Sequence, residues 1–358
     1  MIISCKKNES TDIVTFDPGL ESFSSDYEAV FSRIEILPIR SDFDSSAWFG
    51  KITDVKRYGD LFYLFDPDQS ESITVINNNG KVTGQLKKPG DTTGTYKRLF
   101  AFAVDLASNS ISVYSRSNQK ITTYGLPDFQ FLNERKVESF LMNLEYVDEK
   151  KLLCFNDQNS HDEFLTLLTE STSELLMKAT YGFAGEAAEA WIFNEKQKHF
   201  FEPFSNILWQ WDSAKSELKK LFQLEIKNQE VPEKLLESQN VLAIQDFFFQ
   251  DENLLLFNNT VLINETLYGF VYRDLQEKLF FVIDMKNKEV VRVYNWESLF
   301  EVDYMPYPNC ADENGLYSIA YLYPSQVKEM KGRFSLPTDG LEFIGRQEKP
   351  YLLKFYMK

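Results

Sequence analysis

Alternating hydrophobic and polar positions over residues 72–105 predict a strand, a tight turn, a second strand, a glycine-rich loop and a more apolar third strand. Asn79 and Gly80 form the turn, because both positions tolerate the positive φ of a two-residue hairpin. The third strand contains the run FAFAV, which is apolar throughout, as in a strand packed on both faces. This order is typical of one blade of a β-propeller passing to the next.

The same strand–turn–strand pattern recurs along the chain, at 73–86, 121–134, 165–179, 208–222 and 280–294. Successive turn centres lie 48, 45, 42 and 72 residues apart, and the first three spacings match the length of a four-stranded blade. An insertion around 228–239, with the pattern of a short helix or polar loop, accounts for the longer fourth spacing. A further pair of strands is predicted before each unit.

A sixth strand pair at 308–324 is followed by one clear strand, 350–358, so the sixth blade lacks its outermost strand. The segment 31–40 has the pattern of a strand with no neighbour to pair with. We therefore predict an all-β fold: a six-bladed β-propeller closed by pairing of the N- and C-terminal strands. Residues 1–30 would be a tether and entry segment, and 31–358 the propeller. The alternative, a two-sheet sandwich or ordinary barrel, fits the regular turn spacing less well.

The formal net charge of −16 argues against nucleic acid as a partner, because an acidic surface repels phosphates. The chain contains no run of 18 apolar residues, so contact with a membrane is expected only through a lipid anchor. We expect a monomer.

The three cysteines form no C-x-x-C motif, and each is predicted to have a different environment. Cys154 lies in the apolar run KLLCF and is predicted to be a core residue, whereas Cys310 is placed near a strand edge that is open to solvent. Cys5 ends the sequence IISC, which has the form of a bacterial lipobox and precedes a polar stretch. Only four residues precede Cys5, so the match is either a chance one or part of a signal whose apolar segment lies upstream.

Few residues are suited to catalysis. His161 and His199 are assigned to outer or loop positions at the surface, and two histidines are too few for a zinc site with three imidazoles. No metal site or cofactor is therefore predicted. The rival hypothesis is a metal-assisted hydrolase or lyase that binds a cation through carboxylate and amide oxygens on the innermost strands. Its candidate ligands are Asp54, Asp105, Asn143, Glu145, Glu189, Asp246 and Asn309.

A ligand site is predicted where inner strands converge, beginning with the Gly90–Arg98 loop. Tyr96 would offer a stacking face and Arg98 a fixed positive charge, unless Arg98 forms a structural ion pair with an acid such as Asp105. The candidates from other blades are Asn143, Glu189, Trp191 and Asn309. Most aromatic clusters are assigned to the core, but Trp48 and Trp296 fall in loop-like sequence and are predicted to be exposed.

Three of these features resemble the six-bladed, NHL-like propeller lipoproteins of Bacteroides-type bacteria, a group without an assigned activity. They are the hairpin and glycine loop with Gly90, Gly94 and Tyr96, the closing strand PYLLKFYMK, and IISC with its polar tether. Thr95 departs from the pattern, in which an acid precedes the tyrosine. The resemblance implies export and attachment to the cell envelope, in the periplasm or at the outer membrane, and supplies no catalytic residue. We therefore expect a non-enzymatic module that binds a glycan, a peptide or an envelope protein.

Overall fold

Six β-sheets account for the strands in the computed structural model, which describes residues 12–22, 27–40, 50–156, 163–178, 198–202, 205–227, 232, 234–235, 243, 247, 257–272, 278–300, 305–308, 310–334 and 349–358. Three strands precede the first blade: β1 (Ile13–Phe16), β2 (Glu21–Ser22) and β3 (Phe31–Pro38). Short 3-10 turns occupy Pro18–Leu20, Tyr27–Ala29 and Arg116–Asn118.

Blades 1 to 3 each contain four antiparallel strands in chain order. Blade 1 consists of β4 (Asp54–Tyr58), β5 (Leu61–Asp66), β6 (Ser72–Asn77) and β7 (Val82–Leu86). Blade 2 consists of β8 (Leu99–Asp105), β9 (Ser110–Ser115), β10 (Lys120–Gly125) and β11 (Gln130–Lys136). Blade 3 consists of β12 (Leu141–Asp148), β13 (Lys151–Asn156), β14 (Glu163–Leu168) and β15 (Ser173–Lys178).

Blades 4 to 6 combine later strands with the three early ones. Blade 4 contains β16 (His199–Glu202), β17 (Ile207–Asp212) and β18 (Glu217–Ile226). Blade 5 contains β19 (Phe257–Ile263), β20 (Thr266–Tyr272), β21 (Lys278–Asp284) and β22 (Glu289–Asn295), followed by helix α1 (Trp296–Phe300). Blade 6 contains β23 (Cys310–Asp312), β24 (Gly315–Leu322) and β25 (Lys349–Met357), and helix α2 (Pro324–Arg333) follows β24. Within the described part of the chain, no helix has the length and apolar character needed to span a membrane.

The first strand of each blade lies at the centre of the ring. β8 lies beside β12, β16 beside β19, β19 beside β23, and β23 beside β4. This arrangement is that of a six-bladed β-propeller, as predicted from the repeats. Side chains on these six strands therefore approach the axis of the molecule.

The ring is closed by pairing of the terminal strands, which confirms the prediction. β3 pairs antiparallel with β25, for example Ile36 with Leu353 and Ile34 with Phe355, and forms the outermost strand of blade 6. All four of these side chains are buried. Pairing between strands from opposite ends of the chain covers the open edge that blade 6 would otherwise expose.

The entry segment contributes strands to the propeller, which its prediction as a tether and entry region did not include. β1 pairs parallel with β18 at the outer edge of blade 4, and β2 pairs parallel with β22 at the outer edge of blade 5. Val14 and Phe16 of β1 are buried in the core between these blades. Residues 12–22 are therefore part of the sheet structure.

The Asn79-Gly80 turn also joins blade 1 to blade 6. Gly80 has φ +75°, and a Cβ there would lie 2.6 Å from the carbonyl oxygen of Pro38. The Gly80 carbonyl accepts a hydrogen bond from Arg40 N–H at 2.9 Å. Glycine is thus required both by backbone conformation and by close approach.

Burial corrects three predictions and confirms one. Trp296, predicted to be exposed, is fully buried and its indole N–H donates to the Met305 carbonyl at 3.2 Å. His199, predicted at the surface, is buried on the innermost strand of blade 4. Cys310 is buried rather than open to solvent, and Cys154 is a core residue as predicted. A loop-like sequence is a poor guide to burial here, because Trp296 begins a helix that packs into the core between blades 5 and 6.

Candidate functional site

A buried network of charged side chains crosses the axis of the propeller. We call Lys56, Tyr58, Glu145 and Lys198 the axial network. Glu145 Oε2 accepts a hydrogen bond from the Tyr58 hydroxyl at 2.6 Å and lies 3.4 Å from Lys56 Nζ, and Glu145 Oε1 lies 3.1 Å from Lys198 Nζ. The Glu145 side chain is only 2% exposed, and the two lysine side chains are 12% and 11% exposed. One carboxylate therefore holds two ammonium groups away from water.

Lys56 ties three blades together through backbone as well as side-chain acceptors. Its ammonium donates to the carbonyl of Phe102 at 2.7 Å in blade 2 and to that of Leu144 at 3.1 Å in blade 3. The Asn143 amide oxygen accepts a longer bond at 3.3 Å. A buried cation needs this number of partners, because an unpaired one is very costly.

Burial raises the pKa of two side chains at the axis, Tyr58 of the network and Asp54. Burial, followed by the negative charge of Glu145, raises the pKa of Tyr58 well above its ordinary value, so Tyr58 remains a neutral donor. Burial also raises the pKa of Asp54, whose carboxylate is only partly compensated by Lys56. These environments favour fixed hydrogen bonds over proton exchange with solvent.

Above the network lies a cavity of about 230 Å³, which we call the axial mouth. Its lining comes from four blades and includes Tyr58, Asp105, Ala107, Tyr146, Asp148, Glu149 and Lys198. β4, β8 and β12 all end here, so the mouth lies at the end of the ring where the first hairpin turns cluster. Converging loops and strand ends of this kind are the usual place for a ligand in such folds.

The walls of the mouth are held by turn-forming hydrogen bonds. The Asp105 carboxylate accepts bonds from Ala107 N–H and Ser108 N–H, from the Ser108 hydroxyl, and from Lys150 N–H of blade 3. Asp148 accepts a bond from the Trp211 indole N–H at 3.1 Å. These walls of the mouth are therefore preorganised, since Asp105 and Asp148 are already anchored to the scaffold.

Of the predicted site residues, Asn143 contacts the axial network, whereas Arg98 lies at the opposite end of β8 from the axial mouth. Asn143 lies on β12 and contacts Lys56, as an innermost-strand position requires. Arg98 is exposed and has φ +74°, and it precedes β8, whereas the axial mouth lies at the end of that strand. Seven residues of strand place the two ends about 20 Å apart. The Asp105 carboxylate accepts its hydrogen bonds from the following turn and from Lys150 N–H. It therefore does not form the ion pair with Arg98 that the sequence suggested.

Tyr96 is fully buried in the core between blades 1 and 2, so its ring is not available to stack on a ligand. Its hydroxyl donates to the Glu71 carbonyl at 2.8 Å and accepts a bond from Lys88 N–H at 2.9 Å. Burial raises the pKa of this hydroxyl. Tyr96 thus anchors the Gly90–Arg98 loop, where Gly94 has φ +75° and donates its N–H to Glu134 at 3.1 Å.

Several predicted positions lie outside the described residues: Cys5, Trp48, His161, Glu189, Trp191, Asp246 and Asn309. Their proposed roles stay predictions. Among the residues that the structure does describe, no three His, Cys, Asp or Glu side chains are grouped closely enough to hold a metal ion. Asp54, Asp105 and Glu145, candidates for a cation site, each have other partners.

Sequence reasoning missed the lysines of the axial network. Glu145 was predicted only as an oxygen ligand on an innermost strand. A buried carboxylate also needs a cationic partner, and the lysines that supply it were not predicted. Lys56 lies in the strand sequence DVKRY and Lys198 just before β16. A charged residue within a predicted inner strand is the signal that could have found them.

Comparison with known proteins agrees with this architecture. A model of the DUF5128 family, described as a 6-bladed beta-propeller, matches residues 3–317. The chain belongs to this family. A search of curated proteins found no significant match.

Two solved structures share the fold. The first, from Bacteroides fragilis, is a protein that has been proposed to be exported; it is 15% identical, the alignment covers 97% of this chain and 99% of that one, and the TM-score is 0.74. The second, a member of the DUF4221 family from Bacteroides vulgatus, is 10% identical, with 92% and 98% coverage and a TM-score of 0.52. At these identities the likeness concerns the fold.

Proposed function

We propose that this propeller is a non-enzymatic binding module of the bacterial cell envelope, and that its ligand occupies the axial mouth. The observation that carries the proposal is the position of the mouth directly above the axial network, with walls from four blades. In the network, Lys56 and Glu145 are engaged in structural bonds between blades. Such groups form a rigid floor for binding rather than a set of reactive groups.

The chemistry of the mouth favours a ligand that donates hydrogen bonds. Lys198 supplies one ammonium, whereas Asp148 and Glu149 supply two carboxylates; the Asp105 carboxylate already accepts four hydrogen bonds from the scaffold. Leu106 is 41% exposed and adds an apolar contact surface. Hydroxyl groups of a glycan or amino groups of a peptide suit this lining, and a phosphate-rich ligand does not.

A binding screen with a blocking variant tests this site. Oligosaccharides and short peptides would be screened by thermal shift, and the hits measured by isothermal titration calorimetry. Ala107→Trp should weaken a hit at least tenfold, because Ala107 is exposed at the mouth. Ala214→Trp is the matched control, since Ala214 is also exposed and follows an Asp that caps its turn. A hit that binds Ala107→Trp as tightly as the wild type would refute the mouth as the site.

The envelope location is supported by the IISC sequence and by the relative proposed to be exported. We expect Cys5 to carry a lipid and residues 6–11 to link it to the edge of blade 4, where β1 pairs. Labelling cells of the native host with an alkyne fatty acid should mark the wild type and Lys6→Ala but not Cys5→Ser. Equal labelling of the Cys5→Ser protein, or a wild type without label, would contradict the anchor.

A further inference from the structure

The interface between blades 2 and 3 has an apolar core but departs at one strand position from the packing of its neighbours. Ser112 is the third residue of β9 and pairs with Thr123 of β10. The corresponding pairs of blades 1 and 3 are large and apolar: Tyr63 with Val75, and Leu153 with Leu167. Those side chains fill the cores toward blades 2 and 4, respectively. Blade 2 thus presents small hydroxyl side chains where the others present bulk.

Two cavities occupy the space left between blades 2 and 3. One measures about 300 Å³ and the other about 510 Å³, and both are lined by Arg135 and Leu168. We call the two cavities together the interblade cleft. Each volume lies within the range of small-molecule pockets, which is about 300–1,000 Å³. Both cavities open to solvent, because their linings include exposed side chains such as Leu132 and Leu175.

The lining of the cleft is rich in groups that both donate and accept hydrogen bonds. The Ser112 hydroxyl contacts the hydroxyls of Thr123 and Tyr146, each at 2.8 Å. One guanidinium N–H of Arg135 donates to the Thr169 carbonyl, which fixes the side chain between the two cavities. Hydroxyl groups can rotate, so each can donate a hydrogen bond to a bound molecule or accept one from it.

Asn156 supplies an unused acceptor inside the larger cavity. Its side chain is 1% exposed and lines the 510 Å³ cavity. The amide Nδ2 donates to the Thr166 hydroxyl at 2.8 Å, but Oδ1 has no hydrogen-bond partner within the described part of the chain. A buried carbonyl oxygen without a donor is uncommon, and a ligand hydroxyl would satisfy it.

We infer that the interblade cleft is a second ligand site beside the axial mouth, with which it shares Tyr146, and that it takes a small neutral saccharide. The sugar hydroxyls would meet Ser112, Thr123, Asn156 and Arg135, and its C–H face would lie on Leu168. Charges at the cleft are of both signs: Arg135, Lys136 and Lys150 face Glu138, Glu163 and Glu170. Lys150 and Glu170 pair at 2.8 Å. This balance suits an uncharged polyol better than a phosphate or a polyanion.

The test uses the intact protein and a panel of neutral mono- and disaccharides, measured by saturation-transfer NMR and calorimetry. Ser112→Leu combined with Thr123→Val gives blade 2 the apolar character of its neighbours, so binding should fall at least tenfold while the melting temperature stays equal or rises. Leu132→Trp is a second variant, because Leu132 lines the cleft from a position 53% exposed and tolerates change. Val291→Trp, at a 48% exposed position on β22 of blade 5, is its matched control.

Separate outcomes distinguish this site from the axial mouth. A saccharide bound in the cleft should be lost in the Ser112–Thr123 double variant and in Leu132→Trp, and retained in Ala107→Trp. Binding that is lost only in Ala107→Trp would place the sugar in the mouth and overturn the cleft. If no saccharide in the panel binds the wild type, or if both cleft variants bind like the wild type, the inference is wrong.

Discussion

At the scale of single residues, Glu145 has a large expected effect on stability. Glu145→Leu would leave Lys56 and Lys198 buried without their carboxylate, and breaking a buried pair in this way costs about 3–5 kcal/mol. Urea denaturation should show this loss. Asp91→Asn is the control, because Asp91 and its partner Lys97 are both more than half exposed and such pairs contribute at most about 1 kcal/mol. Equal losses in the two variants would contradict the account of the network.

The contribution of Asp54 to the stability of the fold should fall as pH rises, which is the reverse of the usual behaviour of a carboxyl group. Burial raises the pKa of this carboxyl above its ordinary value of 3.8 in the folded protein. The unfolded chain therefore releases the proton first, so Asp54 increasingly destabilises the fold as pH rises from 3.8 through the folded pKa. Asp54→Asn should accordingly stabilise the protein more at pH 7 than at pH 4, as measured by urea denaturation at each pH.

Asp17 provides the opposite control for that pH series. Hydrogen bonds from Lys227 and from Gly19 N–H lower its pKa, so its contribution to stability is present at neutral pH and is lost as pH falls. Asp17→Asn should therefore destabilise the protein both at pH 7 and at pH 4, and less so as pH falls below 3.8. The same pH trend for Asp54→Asn and Asp17→Asn would refute the burial effect assigned to Asp54.

At the scale of secondary-structure elements, local patterns predicted most hairpins but not the long-range additions. The Asn79-Gly80 turn and strand β8 could be predicted, because the turn residues and the apolar run lie within a few neighbouring positions of the sequence. β1 and β2 were missed, since each is short and finds its partner about 200 residues or more along the chain. Helix α1 was missed because its five residues are too few to show a helical period.

The role of β1 can be tested by a matched pair of substitutions. Phe16→Ala should cost about 3–5 kcal/mol, because the ring is fully buried between blades 4 and 5. Ile13→Ala in the same strand should cost much less, since Ile13 is 54% exposed. The free energies of unfolding from urea titrations decide the point. If Phe16→Ala proved neutral, the entry segment would be a tether and not a strand of the propeller.

At the scale of the whole molecule, ring closure could be predicted by counting strands, but the residues of the axial mouth and the axial network could not. The repeats left one strand spare at each end of the chain, and ring closure pairs them. Which side chains meet at the axis depends on the tilt and offset of six blades, and this is not encoded in any local pattern. Asn143 was found by its inner-strand position, whereas Lys198 was missed, and Arg98 lies at the end of β8 opposite the axial mouth.

The proposed binding function is tested most directly by a crystal structure of the protein with a ligand found in the screen. We expect the ligand in the axial mouth, with an acceptor atom within hydrogen-bond distance of Lys198 Nζ and contacts to the 106–109 turn of blade 2. The axial network beneath it should be unchanged. A ligand bound beside Arg98 at the opposite end of β8, or on the outer rim of the blades with an empty mouth, would contradict the account.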